Sequence, residues 1–512
     1  MSWRSRVNTA QAILVSLLAA SVVAGCAGSD VARSTSDERR SIEGTSEGTS
    51  EQEPAGPATR AEMAGIPEGW QPGALRWSDC SLPRGGECAT LGVPLDWQQP
   101  EGRQIELALG RIAAKGESIG SLVMNPGGPG GSGLELLSWD PTTEAVSDRF
   151  DLVSWDPRGV GRSTAVDCEI GVEEFQSIDP DPDDDSELAG LESGAAKIAG
   201  ACGDDVELLA HVGTADVARD LEAIRRALGD EELNYLGFSY GTHIGQVYAA
   251  MYPTRIRAMV LDGVVDPALG YEEFLLGQAA AFEEVFDDNV RACAEAGPGR
   301  CGVDDLAAVY DEVLAVVESE PLPGGDRPVG PAELTTAALQ TGYGEEGWRS
   351  LGKALAQALE GNGRALWRLA DSYYQAGSYT SYAAVVCTDS PPPSGAEAYR
   401  EFATRARKAS PRFGGAVANE LAPCATWPTE PTGTPRAIIA VGAPPILVIG
   451  NTDDPATPIE NAEAVASTLE SGVLVTVDTA GHTAYGSNQC ATDLVDDYLI
   501  DLDVPTDGTV CG

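Results

Sequence analysis

Short apolar runs bounded by turn residues alternate with stretches of helical period along most of this chain. Ile105-Glu106-Leu107-Ala108-Leu109 is one such run, and Ser121-Leu122-Val123-Met124, which ends in a glycine cluster, is another. Leu152-Val153-Ser154-Trp155 ends in Asp156-Pro157-Arg158-Gly159. The pattern predicts a strand at each run. Val217, Leu221, Ile224 and Leu228 recur on one helical face, with Gly229 as the stop, so a helix is expected over 215–228 with Thr214 as its N-cap. Strands follow at 234–238 and 258–261, the first leading directly into a helix. A strand at 445–450, a helix at 459–469, a strand at 473–477 and a helix at 491–500 close the chain. This alternation predicts an α/β fold built on a mostly parallel, doubly wound sheet. Residues 269–435 break it: they read as helical and carry Tyr343, Trp348, Trp367, Tyr373, Tyr374, Tyr379 and Tyr382. They are expected to form a helical cap inserted between a first core part, 63–268, and a C-terminal core part, 436–512.

The first 62 residues do not belong to that pattern. Arg4 and Arg6 precede an apolar run over 12–24 that is short for a membrane span and ends Val23-Ala24-Gly25-Cys26. Small residues directly before a cysteine resemble a bacterial lipobox. The expectation is a signal peptide over 1–25 and acylation of Cys26 as the new N-terminus. Residues 26–62, with the stretch SIEGTSEGTSEQEPAGPAT, hold almost nothing that packs and read as a solvated tether. The protein is therefore expected on the extracytoplasmic side, lipid-anchored or secreted.

Charge and cysteine content narrow the partners. The chain has 512 residues, 33 of them Lys or Arg and 79 Asp or Glu, for a net charge of −46. Nucleic acid is excluded as a partner, since phosphate binding needs clustered cations, and so is docking on anionic lipid through a basic face. The membrane enters only through the anchor. Of 11 cysteines, ten remain once Cys26 is set aside, an even number suited to disulfides in an exported chain. Pairing in sequence order would join Cys80–Cys88, Cys168–Cys202, Cys293–Cys301, Cys387–Cys424 and Cys490–Cys511. With no CxxC and only three histidines, no metal site is expected, and nothing calls for a cofactor.

Three motifs carry chemistry. Gly237-Phe238-Ser239-Tyr240-Gly241 lies between a strand and a helix, the context in which G-x-S-x-G presents a nucleophile on a sharp turn. Ser239 needs a proton acceptor. His482, in the loop after a late strand, is the candidate; His243 lies inside the helix after the serine, His211 precedes the serine, and both read as structural. The acid that orients the imidazole is expected after the strand Ile446-Leu447-Val448-Ile449. Asp454 is the first choice there, with Asp453 and Asp262 as alternatives. Ser, Asp, His is the chain order of α/β-hydrolases. The oxyanion of a tetrahedral intermediate would be met by the backbone N–H of Tyr240 and by a second donor, best assigned to Gly128, from Asn125-Pro126-Gly127-Gly128-Pro129-Gly130-Gly131.

Taken together these segments resemble the tripeptidyl and prolyl aminopeptidase family of α/β-hydrolase serine peptidases, especially its secreted actinobacterial members. The marks are Cys88-Ala89-Thr90-Leu91-Gly92-Val93-Pro94-Leu95-Asp96, the glycine-rich loop, Asp156-Pro157-Arg158-Gly159-Val160-Gly161-Arg162-Ser163, the elbow, Asp454-Pro455-Ala456-Thr457-Pro458 and Gly481-His482. The resemblance implies Ser239, Asp454 and His482 as a triad, and a cap that limits access to peptide ends. Peptides are then the expected substrates. An aminopeptidase must also bind an ammonium, for which a cap carboxylate is suited; the candidates are Asp389, Glu345 and Glu346. The resulting expectation is a lipid-anchored serine exopeptidase releasing short peptides, tripeptides foremost, from free N-termini. An esterase, lipase or thioesterase with the same triad is the alternative, and a non-catalytic ligand-binding lipoprotein is a third.

Overall fold

The computed structural model describes residues 64–512 apart from 169, 172, 345 and 376. The expected signal segment, Cys26, the tether and Glu345 lie outside the described residues. Among the described residues no helix is long and apolar enough to cross a membrane.

Ten strands form one sheet: β1 (Ser78–Leu82), β2 (Gly86–Pro94), β3 (Gln104–Ile112), β4 (Ser121–Asn125), β5 (Asp151–Trp155), β6 (Leu233–Phe238), β7 (Ile256–Asp262), β8 (Ile446–Asp453), β9 (Gly472–Ala480) and β10 (Thr509–Cys511). Their spatial order is β1-β2-β3-β5-β4-β6-β7-β8-β9-β10. The first three strands and β5 pair antiparallel, and from β5 onward every pair is parallel.

All five residues of β4 are buried, as a strand covered on both faces requires. Alternate side chains feed two cores, following the strand's period of two. Val123, Tyr235 and Leu261 pack on one face with Leu221, Ile224 and Tyr248 from helices Thr214–Leu228 and Tyr240–Met251. Leu122, Met124, Leu236 and Val260 pack on the other face with Val495, Tyr498 and Leu499 from helix Gln489–Asp501. The predicted strands and helices appear close to their expected places. Helix Asp185–Cys202 and strands β1, β2 and β10 are among the additions.

One local expectation is corrected. The helix expected to be capped by Thr214 begins at Thr214, with Gly213 at the cap position and no side-chain cap of its own. The capping group comes from the insertion: the Asp389 carboxylate accepts from the Thr214 backbone N–H at 2.8 Å and from its hydroxyl at 2.5 Å. A carboxylate there complements the positive end of the helix.

The helical insertion leaves the sheet after β7 and returns at β8, and these two strands pair directly, with Met259 opposite Ile446. Its helices, between Tyr271 and Thr426, enclose a core of their own that includes Phe286, Tyr310, Leu351, Leu355, Phe402 and Phe413. All five sequence-order cysteine pairs are closed as disulfides.

The Asp-Pro-Arg-Gly segment after β5 is structural. Arg158 is fully buried and donates to Asp220 at 2.7 Å and to the carbonyls of Leu95 and His211, fastening the end of β5 to helix Thr214–Leu228. Asp156 accepts from the Ser132 hydroxyl at 2.6 Å and the Leu134 N–H at 3.2 Å, which pins the chain just beyond the glycine-rich loop.

Candidate active site

Ser239 sits between β6 and helix Tyr240–Met251 with φ 54° and ψ −126°. This is a strained conformation for a residue with a side chain, of the kind found where a nucleophile is presented on a tight turn. The serine N–H donates to the Asp262 carbonyl at 2.9 Å, which ties the turn to β7. The glycine-rich loop lies against it. A Cβ on Gly127 would stand 2.4 Å from the Phe238 carbonyl, and one on Gly241 would stand 2.7 Å from the Asn125 carbonyl, so neither position admits a side chain. The Asn125 side-chain oxygen accepts from the Gly127 N–H at 2.9 Å and shapes the start of that loop. Tyr240 is the first residue of its helix, so its N–H has no intrahelical acceptor.

His482 and Asp454 meet. The imidazole Nδ1 lies 2.8 Å from Asp454 Oδ2 and 2.9 Å from Oδ1, and the carboxylate is buried. Asp454 also accepts from the N–H groups of Ala456 and Thr457, each at 2.9 Å, and from the Thr457 hydroxyl at 3.0 Å. Thr457 is thus a member of the site that the sequence reading missed; its signal was the Asp-Pro-Ala-Thr-Pro segment itself. Burial alone would lower the His482 pKa, but the charge of Asp454 and its hydrogen bond outweigh burial, and the imidazole titrates above its ordinary value.

The alternatives for the acid are placed elsewhere. Asp453 is exposed. Asp262 is buried and accepts from the N–H groups of Ala484 and Tyr485 at 3.0 and 2.8 Å, so it braces the loop behind His482. Burial pushes its carboxyl up to about 6. From the other side, Asn451 donates to the carbonyls of Gly481 and Thr483, at 2.8 and 3.1 Å. His211 pairs with Asp216 at 3.1 Å. His243 keeps a buried Nδ1 without a hydrogen-bond partner among the described residues, and burial lowers its pKa.

A cavity of about 600 Å³ opens over these groups and is lined by Gly128, Ser239, Tyr240 and His482. The insertion supplies most of its roof: Tyr343, Tyr373, Tyr374, Tyr379, Tyr382 and Glu420. Phe175 and Ile178, from the segment leading into helix Asp185–Cys202, and Leu191 of that helix add an apolar wall.

Of the expected ammonium ligands, Asp389 and Glu346 do not line this cavity, and Glu345 lies outside the described residues. Asp389 is engaged by Thr214 and by the Tyr240 hydroxyl at 2.8 Å, and it lines a separate cavity of about 170 Å³ behind the nucleophile helix. Glu346 is exposed and pairs with Arg349 one helical turn on. The carboxylate that does line the catalytic cavity is Glu420, which directly follows the short helix Gly414–Asn419. Its two oxygens each face a phenol, accepting from Tyr373 and Tyr382 at 3.4 Å. Burial pushes it up to about 7; the two phenols pull the other way, and no cation among the described residues acts on it. Its signal in the sequence was faint: one acid inside the apolar run Phe413-Gly414-Gly415-Ala416-Val417-Ala418-Asn419-Glu420-Leu421-Ala422-Pro423-Cys424.

Comparison with known proteins gives the family. A family model described as "alpha/beta hydrolase fold" matches residues 120–321, and one described as "TAP-like protein" matches residues 410–511. The chain is 36% identical over 486 residues to "Serine protease Hip1" of Mycobacterium tuberculosis, covering 88% of this chain and 93% of that protein. It is 34% identical over 469 residues to "Tripeptidyl aminopeptidase" of Streptomyces lividans, covering 86% of each. A further relative at 34% identity over 490 residues, covering 91% of this chain and 94% of its own length, is "Carboxylesterase B" of Mycobacterium tuberculosis. The chain belongs to the tripeptidyl aminopeptidase-like family of α/β-hydrolase serine enzymes.

Proposed function

We propose that this enzyme is an extracytoplasmic serine exopeptidase that releases short peptides, tripeptides foremost, from substrates with a free amino terminus. The observation that carries this reading is Glu420. A carboxylate held on the wall of the catalytic cavity with only phenols for partners among the described residues is costly unless a cation joins it. A peptide's terminal ammonium supplies that cation through a charge-assisted hydrogen bond, giving both affinity and register.

The chemistry follows from the groups around Ser239. The serine oxygen attacks the scissile carbonyl while His482 Nε2 takes its proton, and Asp454 holds the imidazole through Nδ1. The N–H groups of Tyr240 and Gly128 stabilise the oxyanion. The tetrahedral intermediate collapses, His482 returns the proton to the leaving amine, and water then releases the peptide from the acyl-enzyme. Relatives named as a serine protease and a tripeptidyl aminopeptidase support peptides as the substrates. Cys26, after its apolar leader, is read as the lipid anchor. The five disulfides support an oxidising location outside the cytoplasmic membrane.

A carboxylesterase is the second reading, favoured by the relative of that name and by the apolar cavity wall. Protein lacking residues 1–62, given peptide amides of one, two and three residues with free and blocked N-termini beside a short-chain ester, separates the two. Cleavage of the free tripeptide amide, lost on blocking, supports the exopeptidase. Turnover of the ester alone selects the esterase.

A further inference from the structure

The cap touches the catalytic groups of the core directly. Asp389 accepts from the Tyr240 hydroxyl. Tyr343, the residue after helix Pro331–Gly342, makes the corresponding contact at the base. Its carbonyl accepts the His482 backbone N–H at 3.3 Å, and its ring stands edge-on to the imidazole at 88°, with centroids 5.6 Å apart. Gly481 leaves room for this approach, since a Cβ there would lie 3.0 Å from that carbonyl. Tyr343 also packs edge-on against Tyr373, with ring centroids 6.1 Å apart. Tyr373 in turn donates to Glu420. An unbroken series of contacts therefore runs from Glu420 to His482.

The core alone leaves the histidine incompletely held. Asn451 fixes the carbonyls on either side of it, Asp262 fixes the N–H groups beyond it, and Asp454 fixes Nδ1. The N–H of His482 and one face of its ring environment are left to Tyr343. Proton transfer is sensitive to misplacement on this scale: about 1 Å costs on the order of a hundredfold.

We propose that Tyr343 is a positioning residue for His482, and that the Tyr343–Tyr373 pair links that base to Glu420, so that an ammonium seated on the carboxylate raises turnover as well as affinity. The first half is independent of the substrate; the second rests on reading Glu420 as the amino-terminal subsite. An ammonium at Glu420 competes with the Tyr373 phenol for the carboxylate, and the change passes to Tyr343 through the packed rings.

Two measurements test this. The rate of Ser239 labelling by a small fluorophosphonate is compared in wild type, Tyr343→Ala and Tyr343→Phe, with thermal unfolding recorded alongside. Labelling is expected to slow about tenfold in Tyr343→Ala and about threefold in Tyr343→Phe, which keeps the ring. Wild-type labelling in Tyr343→Ala, or equal losses in the two variants, would overturn the positioning role. Next, kcat and KM are compared in wild type and Tyr373→Phe, using one peptide with a free and with an acetylated N-terminus. The free-to-blocked ratio of kcat is expected to shrink about threefold in the variant while the ratio of KM is kept. An unchanged kcat ratio overturns the link. If wild type is labelled but cleaves neither peptide, the amino-terminal reading and the link fall together, and the positioning role stands on the labelling rates alone.

Discussion

Arg158 in the core is fully buried and Glu420 in the cap is part-buried, and their surroundings differ. Arg158 is met by the carboxylate of Asp220 and by backbone carbonyls, so its charge is neutralised and its donors are occupied. Glu420 is met by two long phenol hydrogen bonds and by no cation among the described residues. The first arrangement is complete without a ligand. The second becomes complete when a positive group enters. A buried charge whose partners are all present holds the fold together, whereas one left short of a counter-ion beside a nucleophile marks where a substrate is read.

The largest effect that would test this contrast is at the nucleophile. Ser239→Ala is expected to lower turnover of every substrate by about four orders of magnitude or more, with the melting temperature retained. Peptide cleavage at the wild-type rate would remove Ser239 from the mechanism. Next comes the core charge: Arg158→Ala leaves Asp220 buried without a counter-ion, with only the Trp97 indole N–H still donating to it among the described residues, and is expected to cost about 3–5 kcal/mol in chemical denaturation. A loss below about 1 kcal/mol would mean that Asp220 is neutral or solvated.

Glu420→Gln should behave in the opposite way. It is expected to lower kcat/KM for free-N-terminal peptides by about 10–100-fold, the worth of a charge-assisted hydrogen bond, and to affect a short ester far less. The folded pKa of Glu420 is raised from about 4.5 to about 7. Its ionisation therefore opposes folding, a penalty absent below the ordinary Glu range that grows as pH rises towards 7. Glu420→Gln should accordingly gain about 1 kcal/mol of stability at pH 8, after discounting for solvent in the cavity. A loss of stability there would show that the carboxylate has a partner in the folded protein.

The same shift sets a pH dependence. KM for free peptides should fall as pH rises through about 7, when Glu420 ionises, and rise again as the substrate's α-amino group deprotonates near pH 8. Turnover should decline on the acid side from a point above the ordinary histidine value, because the Asp454 charge raises His482. A KM for the ester with the same acid limb would break the assignment to Glu420. The smallest effect is expected at Thr457→Val, about threefold to tenfold on kcat with KM kept, since it removes one of several groups that orient Asp454.

The elements around Ser239 were legible because each is local: a strand ends, a turn follows, and the residue of interest lies within a few positions of both. Asp454 and His482 share this property, standing at or just beyond the ends of β8 and β9. The placement of Asp389 was not legible because it is set by Thr214, which lies 175 residues away. Nothing within its own helix distinguishes a free carboxylate from one capping a distant helix. Glu420, proposed above as the amino-terminal subsite, was not singled out for the same physical reason. A carboxylate in an acidic chain acquires importance only from the tyrosines packed over it, and those come from other helices of the cap. Helix Asp185–Cys202 escaped because its buried face is made largely of small residues, Ala195, Ala199 and Cys202, with Leu191 and Ile198 as the larger members.

Strands β7 and β8 lie side by side, Asp262 opposite Ile449, although the whole cap intervenes between them in the chain. In evolutionary terms such an insertion point is a graft site: a segment whose ends meet there can be exchanged while the sheet keeps its register. Tyr343 and Asp389 withdraw that freedom, because the incoming segment would have to bring its own carbonyl to His482 and its own carboxylate to the N-terminus of helix Thr214–Leu228. Specificity in this lineage should therefore drift by editing the cavity walls in place around two fixed anchors, and hybrids that receive a foreign cap whole should fold and yet turn over slowly.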